Sequence, residues 1–509
     1  MKFGGEELSV TQEGHLEVAV HAPRLPFGSL HTENITPVFQ CDGVYGINSG
    51  LVTTSTALNG TATTSNSSFS ISTGTTQYAQ AGIQSRKRLR YRPGQGVIGR
   101  FTATFSTPAS QSYQVVGFGH SEDGVYFGYK NTTFGILYNV RGVREVQTLT
   151  VTVGATVSSN VTITLNDVAF TVPVTNASNV QRTVYEIATY ASYTGWKAEP
   201  RGATVVFVAD AVGNKTGAFT FGAGTTNAAA SFSETMAGVA ATETFIPQSS
   251  WNGDRMDGTD ESGYTLDPSK GNVYQIHIQY LGYGPVVFQV EIPGDGANNS
   301  EFATVHSMNF PNTLTATTFG NPSFPFTMAV YSAGSTTNLT VTVGSFAGFI
   351  EGHKMLHGNR FSYFNQLTSV GANNYQAFFT ILNTRYYGSR TNQAVINLKT
   401  VSAALKHTSP CIFYLIKNGT LAGNPNFTQY ATNSCSYVDT AATTVTFSTN
   451  DQLIWTGHLG DTGDIDHHFN STELEELTLQ PGEWVTLAAK SVTGSPSYAT
   501  GSMNTREDQ

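Results

Sequence analysis

Charged side chains are scarce in this 509-residue chain, which argues against several classes of protein. Only 12% of the residues are Asp, Glu, Lys or Arg, against roughly 25% in ordinary soluble domains. The net charge is -9, whereas a coat that neutralises nucleic-acid phosphates needs many well-spread Lys and Arg side chains. We therefore expect no direct nucleic-acid binding. A surface of low charge favours permanent packing against copies of the chain or neighbouring proteins.

Cysteines are few, and long apolar runs are absent. Cys41, Cys411 and Cys435 are too scattered for a disulfide scaffold or a zinc site, and they fit synthesis in a reducing host cytoplasm. Cys411 and Cys435 could pair if their strands lay side by side, although a buried thiol is the commoner state. The chain contains no run of about 18 apolar residues, so the sequence predicts no membrane span. The first residues, MKFGGEELSVTQEG, lack the apolar stretch of a secretory signal.

The abundant signal is that of short β-strands separated by turns. Val115–Phe118, Val125–Phe127 and Phe134–Leu137 are apolar, β-branched or aromatic runs bounded by Gly, Asp or Asn, which predicts successive hairpins. Long alternating stretches such as LTVTVGATVSSNVTITLNDVAFTVPVT predict strands with one buried face. One segment, residues 183–195, has a helical pattern. The spacing of turn signals predicts an all-β chain of β-sandwich, jelly-roll-like domains.

Several motifs resemble those of virion structural proteins shared by tailed phages of aquatic bacteria and large algal DNA viruses. The motifs lie at Pro26–Gln40, Tyr91–Gly96, Gly99–Ala103, Gly117–Tyr129, Trp251–Asp254, Thr265–Tyr274, Gln279–Gly284, Asn321–Phe326 and Phe346–Gly352. A segment of the L-x-L-x-P-G-E type near the C-terminus, LTLQPGEWVTLAA, is also similar. The resemblance implies a non-enzymatic protein of the virion that assembles with copies of itself, for example as a trimer, and with other virion proteins. Minor capsid, decoration, fibre-base and tail positions all remain open.

The composition predicts three parts of the chain. Residues 1–85 are predicted to form an extended, Ser/Thr/Gly-rich N-terminal arm. Three prolines interrupt its first part, and residues 50–82 contain few large apolar residues, so that part is expected to add to a neighbouring sheet. Residues 86–352 are predicted to form a large β-sandwich with room for two subdomains. After a linker with a turn or short helix, residues 360–495 are predicted to form a C-terminal β-sandwich, with a hairpin at its Asn-Gly turn and a frayed polar tail.

Two acidic segments are candidates for site chemistry. Asp461, Asp464, Asp466 and His467 lie in HLGDTGDIDHH, where carboxylates and imidazoles could bind a metal ion, although a solvated loop is the simpler interpretation. The second segment has Asp254, Asp257, Asp260, Glu261 and Asp267. These residues could bind calcium, hydrolyse sugar with Trp251 and Tyr264 as stacking surfaces, or simply form turns. We expect no cofactor and no enzymatic activity.

The candidate assembly residues are basic or lie in the predicted arm. On a strand, alternation places Arg86, Arg88, Arg90 and Arg92 on one face. That face could meet an acidic neighbour in a shell or packaged DNA, and a simply solvated strand is the other interpretation. The arm contributes the remaining candidates, Pro26, Phe27, Pro37 and Phe39. The alternative function is a surface protein that binds or cleaves carbohydrate, such as a tailspike or adhesin, with host-surface glycans as partners.

Overall fold

The computed structural model describes residues 2–3, 6–7, 34–293, 300–352, 358–406, 409–449, 452–460, 463–468, 477–493 and 497–508. Strands account for 59% of the chain and helix for 3%, which confirms the all-β class. The described residues form three sandwich units: a first unit (34–143 and 237–352), an inserted unit (144–236) and a C-terminal unit (358–508). No helix among the described residues is long and apolar enough to cross a membrane.

The strands before the inserted unit are β1 (Lys2–Phe3), β2 (Glu6–Glu7), β3 (Ile35–Asp42), β4 (Val52–Ala57), β5 (Thr61–Ser65), β6 (Ser68–Ser72), β7 (Gln80–Leu89), β8 (Val97–Phe105), β9 (Ser112–Gly119), β10 (Gly124–Lys130) and β11 (Thr133–Val140). The inserted unit contains β12 (Arg144–Val153), β13 (Ser159–Leu165), β14 (Val168–Val174), helix α1 (Val180–Ala188), β15 (Trp196–Arg201), β16 (Thr204–Val212), β17 (Thr220–Gly222) and β18 (Ala229–Met236).

The first unit resumes with β19 (Thr242–Pro247), a 3-10 helix (Gln248–Ser250), β20 (Asn272–Ile278), β21 (Val286–Pro293), β22 (Ser300–Met308), β23 (Phe324–Ser332), β24 (Thr340–Val343) and β25 (Ser345–Glu351). The C-terminal unit contains β26 (Asn359–Val370), β27 (Tyr375–Asn383), β28 (Tyr386–Tyr387), β29 (Arg390–Thr391), β30 (Val395–Lys406), β31 (Cys411–Lys417), β32 (Thr420–Gly423), β33 (Thr428–Gln429), β34 (Ser436–Asp439), β35 (Ala442–Thr446), β36 (Leu453–Leu459), β37 (Gly463–His468), β38 (Thr478–Leu479), β39 (Trp484–Ser491) and β40 (Ser497–Asp508).

The first unit packs two large sheets around an aromatic core. One sheet has the order β19-β11-β10-β9-β23-β7-β4, and the other has the order β22-β21-β20-β8-β24-β6-β5, with β25 beside β8 and β3 beyond β25. Phe101 stacks on Tyr274 with ring centroids 5.5 Å apart, and Phe118 packs edge-on against Phe326. A side chain at Gly99 would collide with the Phe118 ring, so only glycine fits beneath that ring.

The chain leaves the first unit after β11, forms the inserted unit, and returns to the first unit at β19. Its sheets, β15-β16-β12-β18 and β14-β13-β17, enclose a separate apolar core. Alternation in β14 places Phe170, Val172 and Val174 inward and their neighbours outward. Helix α1 begins where the Asn179 side chain accepts a hydrogen bond from the Arg182 N–H at 3.0 Å. The inserted unit and the first unit therefore have separate cores, and the core of the first unit includes residues before position 86, such as Phe69 and Ile71.

The C-terminal unit has the jelly-roll strand order. Its eight principal strands in chain order are β26, β27, β30, β31, β36, β37, β39 and β40. One sheet pairs the first, eighth, third and sixth of these, as β26-β40-β30-β37, and the other pairs the second, seventh, fourth and fifth, as β27-β39-β31-β36. This arrangement, two four-stranded sheets with connections that cross between them, is the eight-stranded jelly roll.

Several predictions of local structure are confirmed and others are corrected. The hairpin run is confirmed, because β9, β10 and β11 are antiparallel neighbours. A helix is present but covers Val180–Ala188 rather than 183–195. The Asn-Gly turn after β31 joins no hairpin: β31 pairs with β36 and β39, whereas β32 pairs with β35. Part of the predicted linker is strand β26, and residues 353–357 lie outside the described residues.

The limits of the predicted arm and tail also differ in the structure. Residues 35–85 form β3 to β6 and much of β7, and these strands pair with β25, β24 and each other inside the first unit. Phe69 and Ile71 are fully buried there, because the Ser/Thr-rich stretch alternates and supplies one apolar face. The prediction of an arm is thereby confined to residues 1–33. The predicted frayed tail is β40, an inner strand of the jelly roll.

Candidate functional site at the junction of the three units

Buried and half-buried charged side chains cluster where the three units meet. This junction is formed by four segments: Arg86–Arg92 at the end of β7, the turn His120–Asp123 between β9 and β10, the loop Thr384–Gln393 and the turn Gln480–Glu483. The first two belong to the first unit and the last two to the C-terminal unit. The inserted unit reaches the same place through Arg144 and neighbouring residues. Strand alternation and tight turns thus bring polar side chains into a buried contact.

The predicted arginine stripe lies in this junction and binds acidic residues of its own chain. Arg86 is 3.4 Å from Glu483, and Arg92 is 2.9 Å from Asp508. Arg90 lies 3.8 Å from the same Asp508 carboxylate. Arg88 donates to the side-chain oxygen of Gln393. The stripe therefore joins the first unit to the C-terminal unit, where the sequence had suggested contact with another subunit.

The turn Gln480–Glu483 presents the main carboxylate of the junction. Glu483 accepts a hydrogen bond from the Gln480 N–H at 2.8 Å, which holds the side chain over its own turn. The same carboxylate is 2.8 Å from the Lys417 ammonium in addition to its contact with Arg86. Gly482 has a φ of +87°, and a Cβ at that position would collide with the guanidinium of Arg385. Glycine is therefore required where the backbone passes this arginine.

The turn His120–Asp123 is buried beneath the stripe. The Asp123 carboxylate accepts hydrogen bonds from the backbone N–H groups of Arg141, Gly320 and Asn321, at 3.0, 2.9 and 2.9 Å. Burial raises the pKa of Asp123 above its usual range. His120 is also buried, and burial together with the charges of two nearby arginines holds its pKa well below the usual value. His120 is therefore neutral in the folded protein at neutral pH.

The inserted unit contacts the C-terminal unit through Glu199 and Arg201. Glu199 accepts from the Arg385 N–H at 2.6 Å and from Arg201 at 2.9 Å. Arg201 also donates to the Tyr386 carbonyl and lies over the Tyr437 ring, 4.9 Å from its centroid. All of these groups are buried or half-buried. The contact is a charge-assisted network, which is stronger and more directional than exposed ion pairs.

Helix α1 makes a second contact between these two units. The Tyr185 hydroxyl accepts from the Leu421 N–H at 2.8 Å, and Arg182 donates to the Leu421 carbonyl at 3.1 Å. The Tyr185 ring packs in the same apolar cluster as Phe427 and Val445 of the C-terminal unit. Apolar burial therefore adds to the polar contacts that join the units.

A basic cavity of about 330 Å³ lies inside the junction. Five cationic residues line it, and Glu483 is the one acidic residue of the described chain in its lining. The five are Arg86, Arg88, Arg144, Lys197 and Arg385. Burial, followed by the positive charge of Arg144, lowers the pKa of Arg88 to about 10. Burial is also the main cause of the lowered pKa of Arg385.

The structure does not bring the described candidate metal ligands together. Asp461 lies outside the described residues. Asp464 is exposed on β37, Asp466 accepts from the Ser402 hydroxyl at 2.6 Å, and His467 packs 5.8 Å from the Trp455 ring. Within the part of the chain that the structure describes, no three His, Cys, Asp or Glu side chains are grouped for a metal ion.

The second acidic segment forms turns. Asp254 accepts from the N–H groups of Met256 and Ser262 at 2.8 and 2.9 Å, and Asp260 forms a two-pronged pair with Arg255. Asp257 and Asp267 each accept from a Ser or Thr two residues later, and Glu261 is exposed. Trp251 is 4% exposed and packs in the aromatic core, so it offers no face on which a sugar could stack.

The remaining predicted assembly residues are divided between described and undescribed parts of the chain. Pro26 and Phe27 lie outside the described residues. Pro37 and Phe39 belong to β3, where Phe39 is 8% exposed and packs 6.1 Å from Phe346. Phe39 therefore contributes to the core of the first unit. The three cysteines are thiols, so Cys411 and Cys435 do not form the disulfide left open by the sequence.

Sequence reasoning identified the arginines but missed their partners. Glu483 lies in the Pro-Gly-Glu motif, and Glu122 and Asp123 lie in the motif Gly117–Tyr129, yet the sequence did not identify any of these three carboxylates as a partner of the stripe. The chain separation explains this, because 397 positions divide Arg86 from Glu483. The position of these carboxylates within the motifs was the sequence signal that could have identified them as partners.

The comparisons with known proteins find little. No family model and no curated protein matches this chain. Similar solved structures include infectious bursal disease virus Gx strain, with 10% identity, 82% of this chain and 75% of that chain covered, and a TM-score of 0.17. The triple jelly roll fold and turret assembly in an archaeal virus matches with 10% identity over 90% of each chain and a TM-score of 0.16. The Faustovirus major capsid protein matches with 8% identity over 91% of each chain and a TM-score of 0.10. At these TM-scores the likeness carries no argument, and conclusions about this chain depend on its own strands and contacts.

Proposed function

We propose that this protein is a non-enzymatic structural component of a virion that assembles with copies of itself and with other virion proteins. The motifs of the first unit resemble such proteins, and minor capsid, decoration, fibre-base and tail positions all fit them. The single observation that carries the proposal is the junction, in which buried ion pairs and hydrogen bonds join three sandwich units into one piece. A shell component must transmit force between its domains without coming apart, and a directional buried network serves that purpose.

The jelly-roll order of the C-terminal unit supports the same proposal. Jelly rolls occur in viral capsid proteins, and they also occur in lectins and cupins. The strand order alone therefore does not separate a shell protein from one that binds carbohydrate. The burial of Trp251 and the turn hydrogen bonds of Asp254 and Asp260 support the structural role over the carbohydrate alternative.

Assembly is tested with the purified full-length chain. We expect light scattering and electron microscopy to detect closed oligomers of uniform size. Deletion of residues 1–33, which leaves β3 and the rest of the first unit intact, is expected to give folded protein that assembles poorly. The control is Phe364→Ala on an exposed position of β26. A full-length chain that stays monomeric at all concentrations would count against the proposal.

Catalysis is tested separately on host polysaccharide. The parent protein is expected to release saccharide only at the background rate, and the double variant Asp254→Asn, Asp257→Asn is expected to behave identically. Saccharide release by the parent that disappears in the double variant would favour the tailspike alternative.

A further inference from the structure

We propose that the junction cavity is a binding site for a phosphate-class oxyanion that bridges the three units. The observation is a charge imbalance in a buried space. Five cationic side chains and one carboxylate line the cavity of about 330 Å³. The cationic residues come from all three units, so one bound anion would contact groups from each.

The carboxylates packed around the cavity pair with three of its five cationic residues, namely Arg86, Arg144 and Lys197. Glu483 contacts Arg86 and Lys417. Glu122 lies 3.2 Å from Arg144, and Asp210 lies 3.8 Å from Lys197. Glu199 is bonded to Arg201 and to a backbone N–H. These pairs leave Arg88 and Arg385 without a carboxylate contact among the described residues.

Arg88 and Arg385 have donors that remain unused. Arg88 donates to Gln393, and Arg385 donates only weakly, at 3.4 and 3.5 Å, to the carbonyls of Pro481 and Gly482. The Nε atom of each is buried and has no hydrogen-bond partner within the described chain. An unsatisfied donor on a buried charge is costly. Burial and the positive charge of Arg144 lower the pKa of Arg88, and the negative charge of Glu122 offsets part of that effect.

The ligand class follows from the donors and the available space. Guanidinium groups bind oxyanions through paired N–H donors, and a phosphate offers several oxygens and a double negative charge. A monovalent halide neutralises one charge and lacks the paired oxygens that match the two parallel N–H donors of a guanidinium group. Access from solvent is open on the side of Lys197, whose side chain is 55% exposed, whereas Arg88 lies at the buried end.

The test measures inorganic phosphate binding to the full-length protein by phosphorus NMR and calorimetry, against chloride at equal ionic strength. We expect one phosphate per chain and a melting temperature that rises with phosphate concentration. Arg88→Gln should weaken binding by roughly tenfold to a hundredfold, because a charge-assisted hydrogen bond is lost. Arg100→Gln, the same charge change on a strand outside the cavity, should leave binding unchanged.

Two further experiments make the test decisive. Lys197→Gln alters a half-exposed side chain that tolerates substitution, and it should weaken phosphate binding severalfold even if Arg88→Gln fails to fold. ADP and a single-stranded oligonucleotide distinguish free phosphate from a phosphate carried by a nucleotide. The site is supported if ADP or the oligonucleotide binds, phosphate displaces it, and Arg88→Gln or Lys197→Gln weakens that binding. No phosphate binding by the parent protein, or equal binding by the Lys197→Gln and Arg100→Gln variants, would overturn the proposal.

Discussion

The aromatic core of the first unit and the charged junction are both buried, but different forces stabilise them. In the core, rings such as Phe118 and Phe326 contact each other and no polar partner is needed. In the junction, Arg88, Arg90 and Arg385 are half-buried with guanidinium nitrogen atoms shielded from solvent, and each needs an acceptor or an opposite charge. Apolar burial is non-directional, whereas buried charges are stable only in specific geometry. The core therefore holds each unit together, and the junction fixes how the units are placed.

The largest effect should come from the core. Phe118→Ala removes a fully buried ring that packs against Phe101 and Phe326, and it should lower the free energy of unfolding by about 3–5 kcal/mol. Urea unfolding followed by fluorescence measures this. Phe364→Ala, at a side chain that is 65% exposed, should change stability by less than about 0.5 kcal/mol. Equal losses in the two variants would contradict the assigned core.

The next effect tests the junction. Glu483→Gln removes the charge that faces Arg86 and Lys417 while it keeps the shape of the side chain. We expect a loss of about 2 kcal/mol in the free energy of unfolding, and faster proteolysis between the first and C-terminal units. Limited proteolysis and urea unfolding measure the two outcomes. Unchanged stability and protease resistance would mean that the carboxylate does not join the units.

Acidification should weaken the junction through His120. Its pKa is lowered in the folded state, so below about pH 6.5 the unfolded chain binds a proton that the folded chain does not. Stability should therefore fall with decreasing pH, by at most about 1.4 kcal/mol per pH unit from this group. His120→Asn should reduce the slope of melting temperature against pH between 7.5 and 5.5. His458→Asn, at an exposed position, should leave that slope unchanged, and equal slopes in all three proteins would exclude His120 as the cause.

The smallest effect should come from an exposed pair at the edge of the junction. Lys197 and Asp210 are 3.8 Å apart, with side chains that are 55% and 41% exposed. Asp210→Asn should cost less than about 0.5 kcal/mol, because solvent and salt screen the pair. Urea unfolding at low and high salt measures the difference. A loss as large as that of Glu483→Gln would remove the distinction between buried and exposed pairs.

The sequence predicted strands well, because strand formation depends on neighbours in the chain. Alternation in β14 and the turns of the β9-β10-β11 hairpins are local patterns, and the structure confirms them. The jelly-roll class was predicted, but its strand order was not, because pairing such as β26 with β40 joins the two ends of the unit. The false hairpin at the Asn-Gly turn has the same origin: the turn is local, but the partners of β31 are distant.

The site was predicted only in part, for a related reason. Alternation predicted that Arg86, Arg88, Arg90 and Arg92 share one face, but β7 ends at Leu89 and its register shifts between Gln84 and Arg88. No local pattern reveals that Asp508 or Glu483 contacts these arginines. The low content of large apolar residues suggested that residues 50–82 lack a core of their own, and their strands share the core of the first unit. Composition indicates how much surface a segment can bury, and not which sheet it joins.

The central claim is that the junction makes three sandwich units behave as one piece, and differential scanning calorimetry tests it most directly. The full-length protein should unfold in one transition with equal calorimetric and van't Hoff enthalpies. The double variant Glu483→Gln, Asp508→Asn should show separate transitions, because both acidic partners of the arginine stripe are lost. Separate transitions in the unaltered protein, or one unchanged transition in the double variant, would contradict the account.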